Sequence, residues 1–357
     1  MEISEFYNLV GSVWPADGAA ARASWSHWNS LAKPIGGLGL LEDYIVRIAA
    51  LTGTEDVHLG KRAVFVYCAD NGVVEEGVTQ TGPEVTAVVA GNLAKGDTSV
   101  CRMASVANCD VVPVDMGMFN PVEDERVLRR RIAAGTGNIA MGPAMTREDA
   151  LKAIIAGVEL VKEYKDKGYG IIATGEMGIG NTTSSSAVAS VLLDRPVPEV
   201  TGRGAGLSDE GLRRKISAIE RAIEINRPDP SDSVDVLMKV GGFDIAAMTG
   251  TFLGGAIYRV PIIVDGFISA VSALIAKRIC PNSICAIFAS HVSAEPASMA
   301  VLDALGLTAP ITAGLRLGEG TGAVALLPLL DMSLSVYHGM CTFDDTGIEA
   351  YTPQGGF

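Results

Sequence analysis

At 357 residues, with 48% hydrophobic side chains, the chain can bury one large domain and a smaller one beside it. Its 28 basic and 41 acidic residues leave a net charge of -13, and no basic run is longer than three residues, as at Arg129-Arg130-Arg131, which argues against nucleic acid as a partner. Met1 to Glu5 lacks a basic, then apolar, leader pattern, and the most apolar window, Val260 to Ala276, is short and holds Pro261 and Asp265, so a cytoplasmic protein with no membrane segment is expected.

Residues 1–60 carry all three tryptophans and an amphipathic segment, Leu40 to Leu51, with no strand pattern. They read as a small helical domain, joined by the C-terminal segment 331–357. From residue 61 to 330 short apolar runs alternate with helical periods, the signature of an α/β domain with a parallel sheet covered on both faces. The predicted strands are Ala63 to Cys68, Asp110 to Val114, Tyr169 to Ala173, Pro261 to Val264 and Ile284 to Phe288. They stop at Asp70, Asp115, Glu176, Asp265 and Ser290-His291 respectively. Ligands bind outside the carboxyl ends of such strands, so these polar groups are expected on one rim, although helix capping also explains each acid singly. Thr146-Arg147-Glu148-Asp149 reads as a capping box and Ser208 as the cap of a helix carrying Arg213, Arg214 and Lys215.

Cysteines and histidines add no metal signal. Cys280 and Cys285 are the closest pair of six and have no companions at ligand spacing, while His27, His58, His291 and His338 are far apart. No metal and no cofactor are read, and His291 is the one histidine near a strand end.

The loops carry the chemistry. Gly175-Glu176-Met177-Gly178-Ile179-Gly180-Asn181-Thr182-Thr183 follows a strand and opens a helix, where converging N–H groups, the helix dipole and threonine hydroxyls suit a phosphate. Thr201 to Ser208 is a second glycine loop, with Gly204 at its centre, and Lys215 two turns on can bring a charge to a phosphate. The dinucleotide fingerprint fails because Thr183 stands at its third glycine, and no Walker lysine is present, so a mononucleotide or sugar phosphate is favoured. Last comes Leu315-Arg316-Leu317-Gly318-Glu319-Gly320-Thr321-Gly322. A carboxylate between glycines leaves a flat substrate free to approach it, and a partly desolvated carboxylate is a natural general base; an exposed glycine turn is the bland alternative.

Across nearly its whole length the chain resembles the nicotinate-nucleotide–dimethylbenzimidazole phosphoribosyltransferases. The resemblance runs through Lys33-Pro34-Ile35-Gly36-Gly37-Leu38-Gly39, Gly77-Val78-Thr79, Glu84-Val85-Thr86, Gly135 to Ile139, the Gly175 to Thr183 loop, Gly202 to Lys215, Val240 to Ala246, Val264 to Phe267, Ser290 to Pro296 and Leu315 to Gly322. It implies a Rossmann-like sheet with a small helical domain built from both termini. It also implies transfer of phosphoribose from nicotinate mononucleotide to an aromatic base, with Glu319 as catalytic base and Glu176 as a second acid. Gly178, Ile179, Gly180, Asn181, Thr182, Gly204 and Lys215 then form the phosphoribosyl site. Thr79, Gln80, Thr81 and Leu317 wall the acceptor pocket, and Asp70, Asp265, Ser290 and Ser293 are further candidates. Family members are dimers, which here means a homodimer or a heterodimer with a paralogous subunit.

The sequence departs from the family pattern at Asn71, at Thr79-Gln80-Thr81-Gly82-Pro83, where an aromatic is missing, and at Ala297-Ser298. Those loops belong to the acceptor side, so a benzimidazole, a purine and a phenolic acceptor all stay open, as do a non-catalytic nucleotide-binding module and an NAD-dependent oxidoreductase.

Overall fold

In the computed structural model, residues 1–351 are described; residues 352–357 of the C-terminal segment lie outside the described residues. Six parallel strands form one sheet: β1 Lys61–Ala69, β2 Asp110–Gly117, β3 Leu128–Arg129, β4 Tyr169–Met177, β5 Ile262–Val264 and β6 Ile287–Ala289. Their spatial order is β3-β2-β1-β4-β5-β6. The first connections wind toward β3 and the later ones toward β6, so the direction reverses between β1 and β4. In a Rossmann-like sheet a ligand crevice opens there, outside the carboxyl ends of the strands.

Burial follows the apolar runs. Every residue from Ala63 to Ala69 is buried, because helices cover both faces of β1. One such cover is a helix pair, Arg147–Asp166 and Phe243–Tyr258, packed so tightly that a Cβ on Gly250 would sit 1.8 Å from the Ile154 carbonyl oxygen. The Thr146 hydroxyl accepts from the Asp149 amide at 3.1 Å and starts the first of these helices. Ser208 likewise accepts from Gly211 N–H at 3.1 Å to start Asp209–Asn226.

Two expectations about strands are corrected. The last strand begins at Ile287, not Ile284, because Pro281 to Ala286 forms a 3-10 turn. There the Arg47 guanidinium takes the carbonyls of Ile284 and Ile287, at 3.2 and 2.6 Å, so the Ile284 carbonyl binds a side chain where a strand would use a ladder. Cys285 therefore sits in that turn and not in a strand. The two-residue β3 is too short to leave an apolar run.

Segments from both ends of the chain meet. Three helices, Ile3–Gly11, Gly18–Ser30 and Leu40–Thr52, precede the sheet, and Thr321–Gly339 follows it. His27 Nε2 bonds the Tyr337 carbonyl at 2.6 Å, the Ala32 amide donates to the Cys341 carbonyl at 3.0 Å, and Trp28 packs 4.9 Å from the Tyr337 ring. The final long helix runs unbroken through residue 330, so the C-terminal segment reaches the N-terminal helices as the continuation of a sheet-packed helix. No helix among the described residues is long and apolar enough to cross a membrane.

Candidate active site

A cleft of about 210 Å³ opens at the carboxyl end of β4, beside the point where the strand order reverses. Glu176, the penultimate residue of that strand, lines it. Its Oε2 accepts from the Asn181 amide, whose nitrogen also donates to Asp244 Oδ2 at 2.9 Å. One amide thus bridges two carboxylates. Burial pushes Glu176 up to about 8, and the charge of Asp244 pushes the same way. Asp244 itself is raised to about 6 by burial, against the bonds it accepts from Asn181 and Ile245 N–H.

Glu319 faces the same cleft on a loop laid across the end of β4. Three successive residues there, Gly318, Glu319 and Gly320, have φ of 89°, 61° and 92°. A Cβ at Gly318 would lie 2.7 Å from Glu176 Oε1, and one at Gly320 would lie 2.5 Å from Val64 Cγ2. The flanking glycines are therefore required by both conformation and space. Glu319 is the exception: a non-glycine in the left-handed region costs about 1 kcal/mol or more, and such strain collects at functional sites. Its Oε2 accepts from Val100 N–H at 3.1 Å, at the start of the Ser99–Val106 helix, whose Thr98 provides no side-chain cap. Oε1 has no protein partner among the described residues.

Asp265 fixes this loop from below. Buried at the end of β5, its carboxylate accepts from the amides of Gly320, Gly322 and Ala323 at 3.2, 2.7 and 3.1 Å. It is the cap of the Thr321–Gly339 helix as well as part of the cleft wall. Burial raises it to about 6 in spite of those three donors.

The glycine loop after β4 has fewer unused amides than its sequence implies. The amides of Ile179, Asn181 and Thr183 already donate to Thr86 Oγ1, the Gly178 carbonyl and the Gly180 carbonyl. Among the described residues no carbonyl accepts from the Thr182 amide, and Thr182 lines the cleft with Gly178, Ile179, Asn181 and Gly204. Gly180 is instead the left-handed residue before the Asn181–Leu193 helix, packed on Val74 and Asn71. Lys215 does not reach the cleft surface. It is buried behind Thr182 and donates to its hydroxyl at 2.8 Å and to the Gly202 carbonyl at 3.2 Å. Burial lowers its ammonium to about 8, while Glu295 opposes that shift.

Other candidates divide. Leu317 and Ser293 line the cleft. Thr79, Gln80 and Thr81 do not: Thr79 bonds the Thr81 carbonyl at 2.8 Å, and Gln80 donates to the carbonyls of Ala205 and Gly206 at 2.9 and 2.6 Å, latching the second glycine loop from outside. The strand-end rim is likewise only partly a site. Asp70 accepts from Phe119 N–H at 2.6 Å, Asp115 from Met118 N–H at 3.0 Å, and Ser290 donates to the Asp265 carbonyl at 3.2 Å; none of the three lines the cleft. For Asp115 the local bond to an amide three residues on accounts for the acid, whereas Asp70 reaches across to the loop after β2 and its Oδ1 is buried without a partner among the described residues.

His291 lines the cleft, and burial lowers its pKa. Phe267, Ile268, Glu295 and Arg316 also line it. Sequence reasoning did not single these out, nor Asp244 behind the wall. Glu295 and Asp244 had one available signal, an acid directly before Pro296 in one case and two residues after Gly241-Gly242 in the other. Phe267 and Ile268 look like ordinary helix residues in sequence. Among the remaining histidines, His58 and His338 come together at the other end of the sheet, which their separation in sequence conceals.

Comparison with known proteins completes the assignment. A family model described as phosphoribosyltransferase matches residues 13–348. The nicotinate-nucleotide–dimethylbenzimidazole phosphoribosyltransferase of Acetivibrio thermocellus is 49% identical over 326 residues, covering 91% of this chain and 93% of that protein. The like-named protein of Ruminiclostridium cellulolyticum is 47% identical over 348 residues, covering 98% and 99%. The crystal structure of CobT from Thermus thermophilus superposes with a TM-score of 0.87 at 39% identity, over 93% of this chain and 99% of the other. The chain belongs to this phosphoribosyltransferase family and is a pentosyl-transferring enzyme.

Proposed function

We propose that the protein transfers the phosphoribosyl group of nicotinate mononucleotide to an aromatic base of the benzimidazole type, releasing nicotinate and an α-ribotide 5′-phosphate. The observation that carries this reading is the meeting of Glu176 and Glu319 in one cleft, at the opening of a phosphate-type helix, in a chain whose relatives bear that activity in their names.

The chemistry suits the residues. The pyridinium of the donor leaves with its bonding electron pair, which neutralises the ring nitrogen, so the leaving group needs no proton. Positive charge then builds on the ribose ring, and a carboxylate beside it stabilises the transition state. Glu176 supplies that charge; an approaching cation draws off the proton that burial otherwise holds there. The acceptor attacks C1 of the ribose from the opposite face, which turns a β donor into an α product. It loses a proton as it does so, and the free Oε1 of Glu319 takes it. The Thr182 amide and hydroxyl, backed by the ammonium of Lys215, hold the phosphate. Lys215→Met removes that backing charge, and the KM for the donor should rise about tenfold with kcat less affected.

Incubating the protein with nicotinate mononucleotide and a panel of benzimidazoles, purines and phenols, and resolving nicotinate release and ribotide products, tests the reading. Ribotide formation with an azole supports it. Formation with phenols alone reassigns the acceptor and makes a paralogous partner subunit the next object of search. Release of no nicotinate with any acceptor refutes it.

A further inference from the structure

At the amino end of the sheet, opposite the cleft, the loop entering β1 meets the last turn of the Thr321–Gly339 helix. His58 and His338 lie there with ring centroids 5.0 Å apart and planes within 8° of parallel. Asp56 Oδ1 is 2.9 Å from His58 Nε2. One ligand atom from each of Asp56, His58 and His338 fits within a mutual separation of 4.8 Å.

The detail that gives this cluster a chemical direction is at His338. Its Nε2 stands 2.9 Å from the carbonyl oxygen of Val57. A carbonyl only accepts, so that nitrogen carries the hydrogen, and the lone pair of the neutral ring is on Nδ1. An imidazole held by an N–H bond to a backbone carbonyl, with its other nitrogen free, is how proteins orient a metal-binding histidine. The ring spacing agrees, since two imidazoles on one ion, with bonds of about 2.1 Å at a tetrahedral angle, put their ring centres about 5 Å apart. The rings are stacked as they stand, and lone pairs lie in the ring planes, so the exposed His58 ring has to turn about its side chain to meet an ion held by His338. Arg62, which borders the same cavity, is neutralised by a two-bond pairing with Asp331 at 2.8 and 2.9 Å, so it does not oppose a second positive charge. A surface cavity of about 450 Å³ bordered by Val57, His58 and His338 leaves room for water on a remaining coordination position.

We propose that Asp56, His58 and His338 form a binding site for a divalent transition metal of borderline softness, Zn²⁺ or Ni²⁺, with an open position for water. The site is independent of the transfer chemistry. It ties the connector between the N-terminal helices and β1 to the end of the helix whose other end carries the Glu319 loop, and an ion bound only to the folded chain stabilises it.

The test uses the untagged full-length chain. Calorimetric titration with ZnCl₂, melting curves with and without Zn²⁺, and the visible spectrum of the Co²⁺-loaded protein are compared for wild type, His58→Ala, His338→Ala and Asp56→Asn. All three side chains are exposed, so the variants should fold, which circular dichroism checks. The proposal expects one ion per chain, a rise in Tm reversed by a chelator, tetrahedral-type Co²⁺ absorption, and no response to Mg²⁺. Each histidine variant should weaken binding by more than about tenfold, Asp56→Asn by less, with transferase activity unchanged in metal-free buffer. Absence of binding to the wild type at millimolar Zn²⁺, or undiminished binding in either histidine variant, overturns it.

Discussion

Glu319 is the residue on which backbone and chemistry pull apart. Its left-handed conformation is strained, and the bond it accepts from Val100 N–H returns about as much as the strain costs. Replacing Glu319 by glycine should therefore leave Tm within a few degrees of wild type while turnover collapses. A large loss of stability on Glu319→Gly would mean that the side chain is there for structure. Glu176 offers a second test, through pH. Its folded pKa, about 8, lies above that of an unfolded glutamate, so between the two values the native state holds a proton that the unfolded chain has lost. That contribution to stability is complete at acid pH and is lost as pH rises through about 8. Glu176→Gln removes it, and the Tm of the variant relative to wild type should climb steadily from pH 5 to pH 8. A flat difference across that range would place Glu176 in an ordinary, unshifted environment. Above pH 8 the lowered Lys215 begins to titrate too, with the opposite slope, so the comparison belongs below that point.

Among the elements, the cap of the Thr321–Gly339 helix links fold to site. Asp265 satisfies three buried N–H groups of the loop and first turn that carry Glu319, so Asp265→Ala leaves all three without partners. A loss of about 2–3 kcal/mol in denaturant unfolding is expected, with a fall in kcat larger than any change in donor binding. An unchanged unfolding midpoint would show that the helix start is held by other contacts. The same elements show what a sequence reveals at this scale. Continuous apolar runs made β1, β2, β4 and β5 legible, and Thr146 and Ser208 made two helix starts legible, because burial and capping leave local signals. β6 was misplaced because Ile284-Cys285-Ala286 has a strand's composition, while Arg47, far away in the chain, takes the carbonyl that would have joined a ladder. The inferred acceptor wall at Thr79 to Thr81 failed to line the cleft for a similar reason: the partners of Gln80 are the carbonyls of Ala205 and Gly206, a tertiary pairing with no sequence trace.

At the scale of the whole molecule, an acidic chain of net charge -13 is expected to bind an anionic donor in a cleft walled by Glu176, Asp265, Glu295 and Glu319. Local devices have to overcome that field: a helix opening with an unused amide at Thr182, a buried ammonium behind it, and Arg316 exposed on the rim. The concentration of acids in turn suits a donor whose reacting end is cationic, so in the proposed reaction the two ends of one nucleotide meet opposite electrostatics. Which residues lie at the cleft was legible where glycine loops and a lone glutamate marked them, as at Glu176, Thr182 and Glu319. Lys215 was legible in type but not in depth, since nothing in its helix period shows that Thr182 would stand in front of it. The measurement that bears most directly on this account is single-turnover and steady-state assay of Glu319→Gln with nicotinate mononucleotide and 5,6-dimethylbenzimidazole. The account predicts a turnover at least about a hundredfold below wild type with donor binding retained. Turnover close to that of the wild type would contradict it.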